Sequence, residues 1–292
     1  MMHSLYRWVV YGNVWVALGA LSMYSCTVVL ANLNFRIDIG LVIFFSTLAV
    51  YNFHRIFRLN KLYSGPRTAR QQWIIEHARS LWLITIASGV IIAFFARNLY
   101  SQALLISAAP AVLVAILYVI PVYAKGDNVL RLRDLPFLKL FLVAFTWAYV
   151  TYIFPLVVEN QNFDFLHAPG FVFMFGQRLL FIFAITVPFD FRDLQLDLAN
   201  GVKTFANQMG VEHAKKISLL CLALFALLTM LSFQIGDYLL VEMNALVLSA
   251  IFTGLLIQMA NEHQPEWFFV FLLEGTMIDQ LFWLAVLSYL FS

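Results

Sequence analysis

Phe189-Asp190-Phe191-Arg192-Asp193-Leu194-Gln195-Leu196-Asp197-Leu198-Ala199-Asn200-Gly201-Val202-Lys203-Thr204 follows an apolar run, residues 171–187, that with its flanks is long enough to cross a bilayer. Its three aspartates fall at i, i+3 and i+7, which on a continuous helix stacks their carboxylates on one face. Carboxylates stacked at a membrane surface repel one another unless a cation lies between them. Mg²⁺, held by a few carboxylates together with substrate phosphates, suits that position, so Asp190, Asp193 and Asp197 are the expected metal ligands. Gly201 can release the helix, and Lys203 then returns a cation for leaving phosphate oxygens. The alternative is an ordinary acidic, solvated helix end, and the rest of the chain decides between the two.

Of the 292 residues, 62% are hydrophobic and 12% charged, with a mean hydropathy of +0.84. Soluble domains carry about 25% charged residues, so the composition places the chain in a lipid bilayer. A net charge of +2 is too small to point to nucleic acid. Cys26 and Cys221 sit inside apolar runs without metal-ligand spacing and read as small core residues. The first apolar run, about residues 8–33, exceeds the apolar core of a cleavable leader.

Runs of the length needed to span a bilayer occur at about 9–32, 39–59, 80–97, 100–123, 136–158, 170–192, 214–235, 238–260 and 267–291. The expectation is one all-α integral-membrane domain, residues 1–292, with nine helices bundled around a central cavity. Gly236-Asp237 marks a tight turn between the seventh and eighth. The loops alternate in charge. Basic residues gather after helix two (Arg58, Lys61, Arg67, Arg70, Arg79), after helix four (Lys125, Arg131, Arg133, Lys139) and after helix six (Arg192, Lys203, Lys215, Lys216). The positive-inside rule makes these loops cytoplasmic, with the N-terminus inside, the C-terminus outside and the cavity open on the cytoplasmic side.

In this setting D-x-x-D-x-x-x-D-x-x-x-G-V-K-T at the end of helix six resembles the second aspartate-rich motif of the UbiA-type intramembrane prenyltransferases, a nine-helix family. Tyr118-Val119-Ile120-Pro121-Val122-Tyr123-Ala124-Lys125, at the end of helix four, is similar to the family's Y-x-x-P-x-x-x-K segment. The resemblance implies that Tyr118 and Lys125 lie near the diphosphate and the acceptor. The plain alternative for that segment is a proline-ended helix with an interfacial Tyr and Lys.

The family's first motif, N-D-x-x-D-x-x-x-D at the end of helix two, is where this chain departs. Asn52 stands, but the three aspartate positions are Phe53, Ile56 and Asn60, followed by a shortened Arg67-Thr68-Ala69-Arg70. In one reading Arg55 and Arg58, with Arg67 and Arg70, grip the diphosphate where a metal would otherwise neutralise it, because guanidinium suits bidentate phosphate contact. In the other, this half of the site is lost, and Arg55 and Arg58 reach to the headgroups.

Other polar residues in the apolar runs have simpler readings. Asn13 is expected to hydrogen-bond to a neighbouring helix. Arg178, about 18 Å along the helix from Asp190, is expected to reach to the far membrane surface. Glu274 and Asp279 are carboxylates inside a spanning segment, where a cavity or a partner is expected.

The resemblance implies Mg²⁺-dependent transfer of an isoprenyl group from its diphosphate to a hydrophobic acceptor, aromatic or lipid. Asp190, Asp193 and Asp197 would hold the metal, and Lys203 and Lys125 the leaving pyrophosphate. Tyr118 and Asn52 would lie near the acceptor, with Arg55, Arg58, Arg67 and Arg70 on the substrate. The alternatives are an inactive relative binding an isoprenoid lipid or a protein partner, and an isoprenyl diphosphate cyclase.

Overall fold

A computed structural model describes residues 2–62, 68–99, 102–117, 123–125, 128–130, 135–161, 163–199 and 203–291. In chain order the helices are α1 (Met2–Tyr11), α2 (Val14–Leu30), α3 (Ile37–Leu62), α4 (Ala69–Glu76), α5 (Ala78–Asn98) and α6 (Gln102–Leu117). A two-stranded antiparallel ribbon follows, β1 (Tyr123–Lys125) and β2 (Asn128–Leu130), which the all-α expectation did not include. Then come α7 (Pro136–Ala148), a π-turn over Tyr149–Ile153, α8 (Phe154–Asn160), α9 (Pro169–Thr186), α10 (Phe189–Arg192), α11 (Leu194–Ala199) and α12 (Phe205–Met209). The chain closes with α13 (Val211–Gln234), α14 (Leu240–Met259), a second π-turn over Phe268–Leu273, and α15 (Glu274–Phe291).

Among the described residues seven helices are long and apolar enough to cross a membrane: Ile37–Phe57, Ala78–Arg97, Phe137–Asn160, Gly170–Arg192, Val211–Gln234, Leu240–Met259 and Phe268–Phe291. They match seven of the nine expected spans. The first expected span is a pair, Leu5–Tyr11 and Val14–Leu30, bent by 58°. The break is at Asn13, held in the left-handed region at φ 64°, where Asn is among the few residues tolerated. The fourth is a shorter apolar helix, Ile106–Leu117, part of whose expected range lies outside the described residues. On α5 the exposed Leu83, Ile86, Val90 and Phe94 recur at helical spacing, an apolar stripe that faces hydrocarbon. The protein is an integral membrane protein.

Neighbouring helices touch in the order α5, α3, α2, α15, α14, α13, α9, α7, α6, which brings the first spanning helix against the last. Elements end where the chain chemistry requires it. Pro136 and Pro169 occupy first-turn positions of α7 and α9, where the missing N–H costs nothing. Gly236 at φ 86° makes the tight turn after α13. The expected cavity open at the basic end is not established by the described residues. One cavity they do enclose lies in the interior, against Met23, Met174, Gln177, Arg178, Phe225 and Gln280.

Arg178 corrects its expectation. It is 4% exposed and donates to the Met23 carbonyl at 2.9 Å and to Thr27 Oγ1 at 3.0 Å. Thr27 in turn donates to the Thr151 carbonyl at 2.7 Å, in the first π-turn. Reaching the far surface would forfeit these bonds, and a guanidinium bonded through both Nη atoms inside the bundle needs no headgroup.

Candidate functional site

Asn52, Arg55, Lys139, Asp190, Asp193, Asp197 and Glu274 all lie toward one end of the helices, the C-terminal ends of α3 and α9 and the N-terminal ends of α7 and α15. Val187-Pro188 interrupts the sixth span before α10, and Asp193 caps α10 at φ −91°, ψ 1° before α11 starts. The backbone still bonds across the kink, Asp193 N–H to the Phe189 carbonyl at 3.3 Å and Asp197 N–H to the Asp193 carbonyl at 2.9 Å.

The first two aspartates have partners of their own. Asp190 is 2% exposed, and both carboxylate oxygens are taken: Oδ1 by Lys139 Nζ at 2.8 Å, Oδ2 by the Phe205 N–H at 3.1 Å. Thr204 and Asn207 cap the start of α12 reciprocally, so Asp190 anchors both α7 and α12. Asp193 receives a two-point contact from its neighbour Arg192, Nε to Oδ1 at 2.8 Å and Nη2 to Oδ2 at 2.7 Å. Asp197 is buried one turn on.

Among the described residues no group of three His, Cys, Asp or Glu side chains could hold a metal ion. Two of the three expected Mg²⁺ ligands, Asp190 and Asp193, are paired with lysine and arginine here, and the helix bends between them. On α3, Phe53 and Ile56 carry no metal donor. Phe53 turns toward α5 and packs on Phe57 and Trp82. Ile56, 1% exposed, forms a hydrophobic cluster with Trp73, Ile74 and Leu81, against which Trp8 and Tyr11 pack. Ile56, where the motif would carry a carboxylate, instead fastens α4 over the end of α3.

Asn52 is fully buried and accepts from Asn13 Nδ2 at 2.8 Å, as expected of Asn13. Asn52 Nδ2 and Asn13 Oδ1 are left without partners. Arg70, on α4 behind the Thr68–Gln71 capping box, is 4% exposed. Its Nη1 reaches Glu266 at 3.3 Å and its guanidinium lies 5.7 Å from the Tyr11 ring centre, while Nε and Nη2 are buried without acceptors. Burial, then the nearby Arg192, hold the Arg70 guanidinium below its ordinary pKa, with Glu266 acting in the opposite sense. Arg55 lies within electrostatic range of Arg70, Glu274 and Arg192.

Of the remaining expected site residues, Lys203 is exposed. Tyr118 and Arg67 lie outside the described residues, as do the side chains of Arg58 and Lys125. Sequence reasoning missed Lys139, Arg192 and Glu266 as site residues. Lys139 had one signal: a lysine in the first turn of an apolar helix needs a carboxylate nearby.

No family model and no curated protein matches this chain by sequence. Solved structures match it along nearly its whole length. A digeranylgeranylglyceryl phosphate synthase is similar at a TM-score of 0.57 and 16% identity, covering 97% of this chain and 98% of that one. A UbiA homolog from Archaeoglobus fulgidus, bound to GPP and Mg²⁺, is similar at 0.65 and 12%, covering 97% and 99%. A UbiA homolog from Aeropyrum pernix K1, without ligand, is similar at 0.65 and 15%, covering 94% and 97%. This chain has the fold of the UbiA-type intramembrane prenyltransferases.

Proposed function

We propose that this protein binds an isoprenyl diphosphate at the basic end of the bundle and transfers the isoprenyl group to a hydrophobic acceptor. The observation that carries the reading is the convergence of Arg55, Arg70 and Arg192 beside Asn52 at that end, in a fold shared with a homolog that binds GPP. By the positive-inside rule this end is cytoplasmic, with the N-terminus inside and the C-terminus outside.

Transfer needs little covalent chemistry from the protein. The bond from the allylic carbon to the diphosphate oxygen breaks with its electrons going to pyrophosphate. The acceptor's nucleophilic atom then bonds to the carbon and releases its proton to a pyrophosphate oxygen. The barrier is lowered by fixed positive charge where the leaving group gathers negative charge, in a place closed to water. Arg55, Arg70 and Arg192 supply that charge, and Lys125, Lys203, Arg58 and Arg67 belong to the same basic end. Asn52, whose carbonyl accepts from Asn13, keeps a buried N–H₂ with no acceptor among the described residues, a donor available to phosphate or acceptor. Tyr118 stands beside the acceptor. The isoprenyl chain and the acceptor lie among the apolar helices, whose aromatic faces can stabilise an allylic cation.

Purified protein in detergent, given a panel of prenyl diphosphates with and without Mg²⁺ and with aromatic or lipid acceptors, is expected to release pyrophosphate and yield a prenylated product. No release, together with prenyl diphosphate binding unchanged in Arg55→Gln, sinks the reading. Release without an acceptor makes the protein a cyclase.

A second reading has its own support: Asp190 and Asp193 are bonded by Lys139, Phe205 and Arg192. A protein with these carboxylates committed to structure binds an isoprenoid lipid without turnover. It would retain the prenyl diphosphate intact in the same assay.

A further inference from the structure

Arg55, Arg70 and Arg192 come from three elements, α3, α4 and α10, yet all lie within electrostatic range of one another. Like charges at close range repel one another, Arg70 being buried and Arg55 and Arg192 half-buried. Asp193, which accepts from Arg192 through both oxygens, and Glu266 and Glu274 offset part of that repulsion. The compensation is incomplete at the level of hydrogen bonds, because Arg70 Nε and Nη2 and Asn52 Nδ2 are buried with no acceptor among the described residues. Buried donors in this state cost free energy until an acceptor arrives, and guanidinium donors favour an anion.

The same end of α3 carries Phe53, Ile56 and Asn60 where carboxylates would recruit divalent ions, and Ile56 is committed to the cluster under α4. Asp190 and Asp193 face Lys139 and Arg192. Positive charge that metal ions would bring to a diphosphate is here already covalently part of the chain.

We propose that Arg70, assisted by the nearby charge of Arg55, binds the diphosphate group directly, with no divalent metal between protein and phosphate. The inference rests on the isoprenyl-diphosphate reading and deepens it by assigning what neutralises the leaving group. Arg70 presents two open donors, a planar fork that matches two phosphate oxygens. Glu266 holds the third donor until phosphate displaces it.

The test is calorimetric titration of the full chain, in nanodiscs of zwitterionic lipid, with inorganic pyrophosphate in EDTA and then in excess Mg²⁺. Binding is expected in EDTA and is not strengthened by Mg²⁺. Arg70→Gln weakens it by roughly tenfold or more, the loss of a charge-assisted hydrogen bond. Glu266→Gln removes the competing carboxylate charge from Arg70 Nη1 and tightens binding, an effect opposite in sign that no folding defect reproduces. Binding that appears only with Mg²⁺, or that is unchanged in both variants, overturns the proposal. Discs containing phosphatidic acid form a further arm; occupancy by that lipid, with no uptake of free pyrophosphate, reassigns the site to a headgroup and also overturns it. Pyrophosphate bound in EDTA without any prenyl transfer would remove the enzymatic function and leave the arginine site standing. Transfer that requires Mg²⁺ would do the reverse.

Discussion

Lys139 and Asp190, 51 residues apart in the chain, meet at 2.8 Å, and the carboxylate is 2% exposed. The pair ties α7 to the kinked end of the sixth span, with the Phe205 N–H completing the carboxylate's bonds. Lys139→Met leaves a buried carboxylate without its cation and is expected to cost about 3–5 kcal/mol, as broken buried pairs do. Adding Asp190→Leu removes the stranded charge and restores part of that loss. Thermal unfolding in detergent measures both, and a double variant less stable than Lys139→Met contradicts the pairing.

Arg178→Met removes the donors to the Met23 carbonyl and Thr27 and is expected to lower stability by about 1–3 kcal/mol. The residue lies roughly 18 Å along the helix from Asp190. Pyrophosphate binding by the folded fraction should therefore stay unchanged while the melting temperature falls. Weaker binding with an unchanged melt would place Arg178 in the ligand site and refute its structural role.

Asn13 does two separable things: it bonds Asn52 and it holds the left-handed turn between α1 and α2. Asn13→Gly keeps the turn and loses the bond, an expected cost of about 1 kcal/mol inside a membrane. Asn13→Leu loses both and should cost about 1–2 kcal/mol more, the strain of a branched residue at positive φ. Equal melting temperatures for the two variants would show that the backbone conformation contributes nothing.

Ile56 and Phe53 stand at former carboxylate positions but should respond differently to truncation. Ile56→Ala hollows the cluster under α4 and is expected to cost about 2–5 kcal/mol. Phe53 is 37% exposed and packs at the edge on Phe57 and Trp82, so Phe53→Ala should cost clearly less. Limited proteolysis after Arg70 and Arg79 reports the loosening of α4 directly. Faster cleavage in Phe53→Ala than in Ile56→Ala would reverse the assignment.

The spans were legible because hydrocarbon imposes a length and a composition that a sequence displays openly, and the helix-six motif sufficed to name the fold. Asn13 bonding across helices and the turn at Gly236 were legible for the same local reason: a lone polar group or a glycine has few uses there. The rest depends on meetings between distant residues. Nothing in the spacing of Asp190, Asp193 and Asp197 shows that Lys139 will reach the first and Arg192 the second. Arg178 looked like a residue bound for the surface because its acceptors, Met23 and Thr27, lie on another helix more than 150 residues earlier. The break at Asn13 turns on a backbone angle that neighbouring apolar residues do not encode.

The π-turn over Phe268–Leu273 immediately precedes Glu274. Such a turn holds one residue more than an α-helical turn, and each residue advances a helix by about 100°. Deleting a single apolar residue there would leave composition and span length almost untouched. It would also swing Glu274, Asp279, Gln280 and Trp283 together by about a quarter-turn against α2 and α14. The angular setting of the last helix, and with it a glutamate within electrostatic range of all three arginines, is stored in the count of residues within one turn.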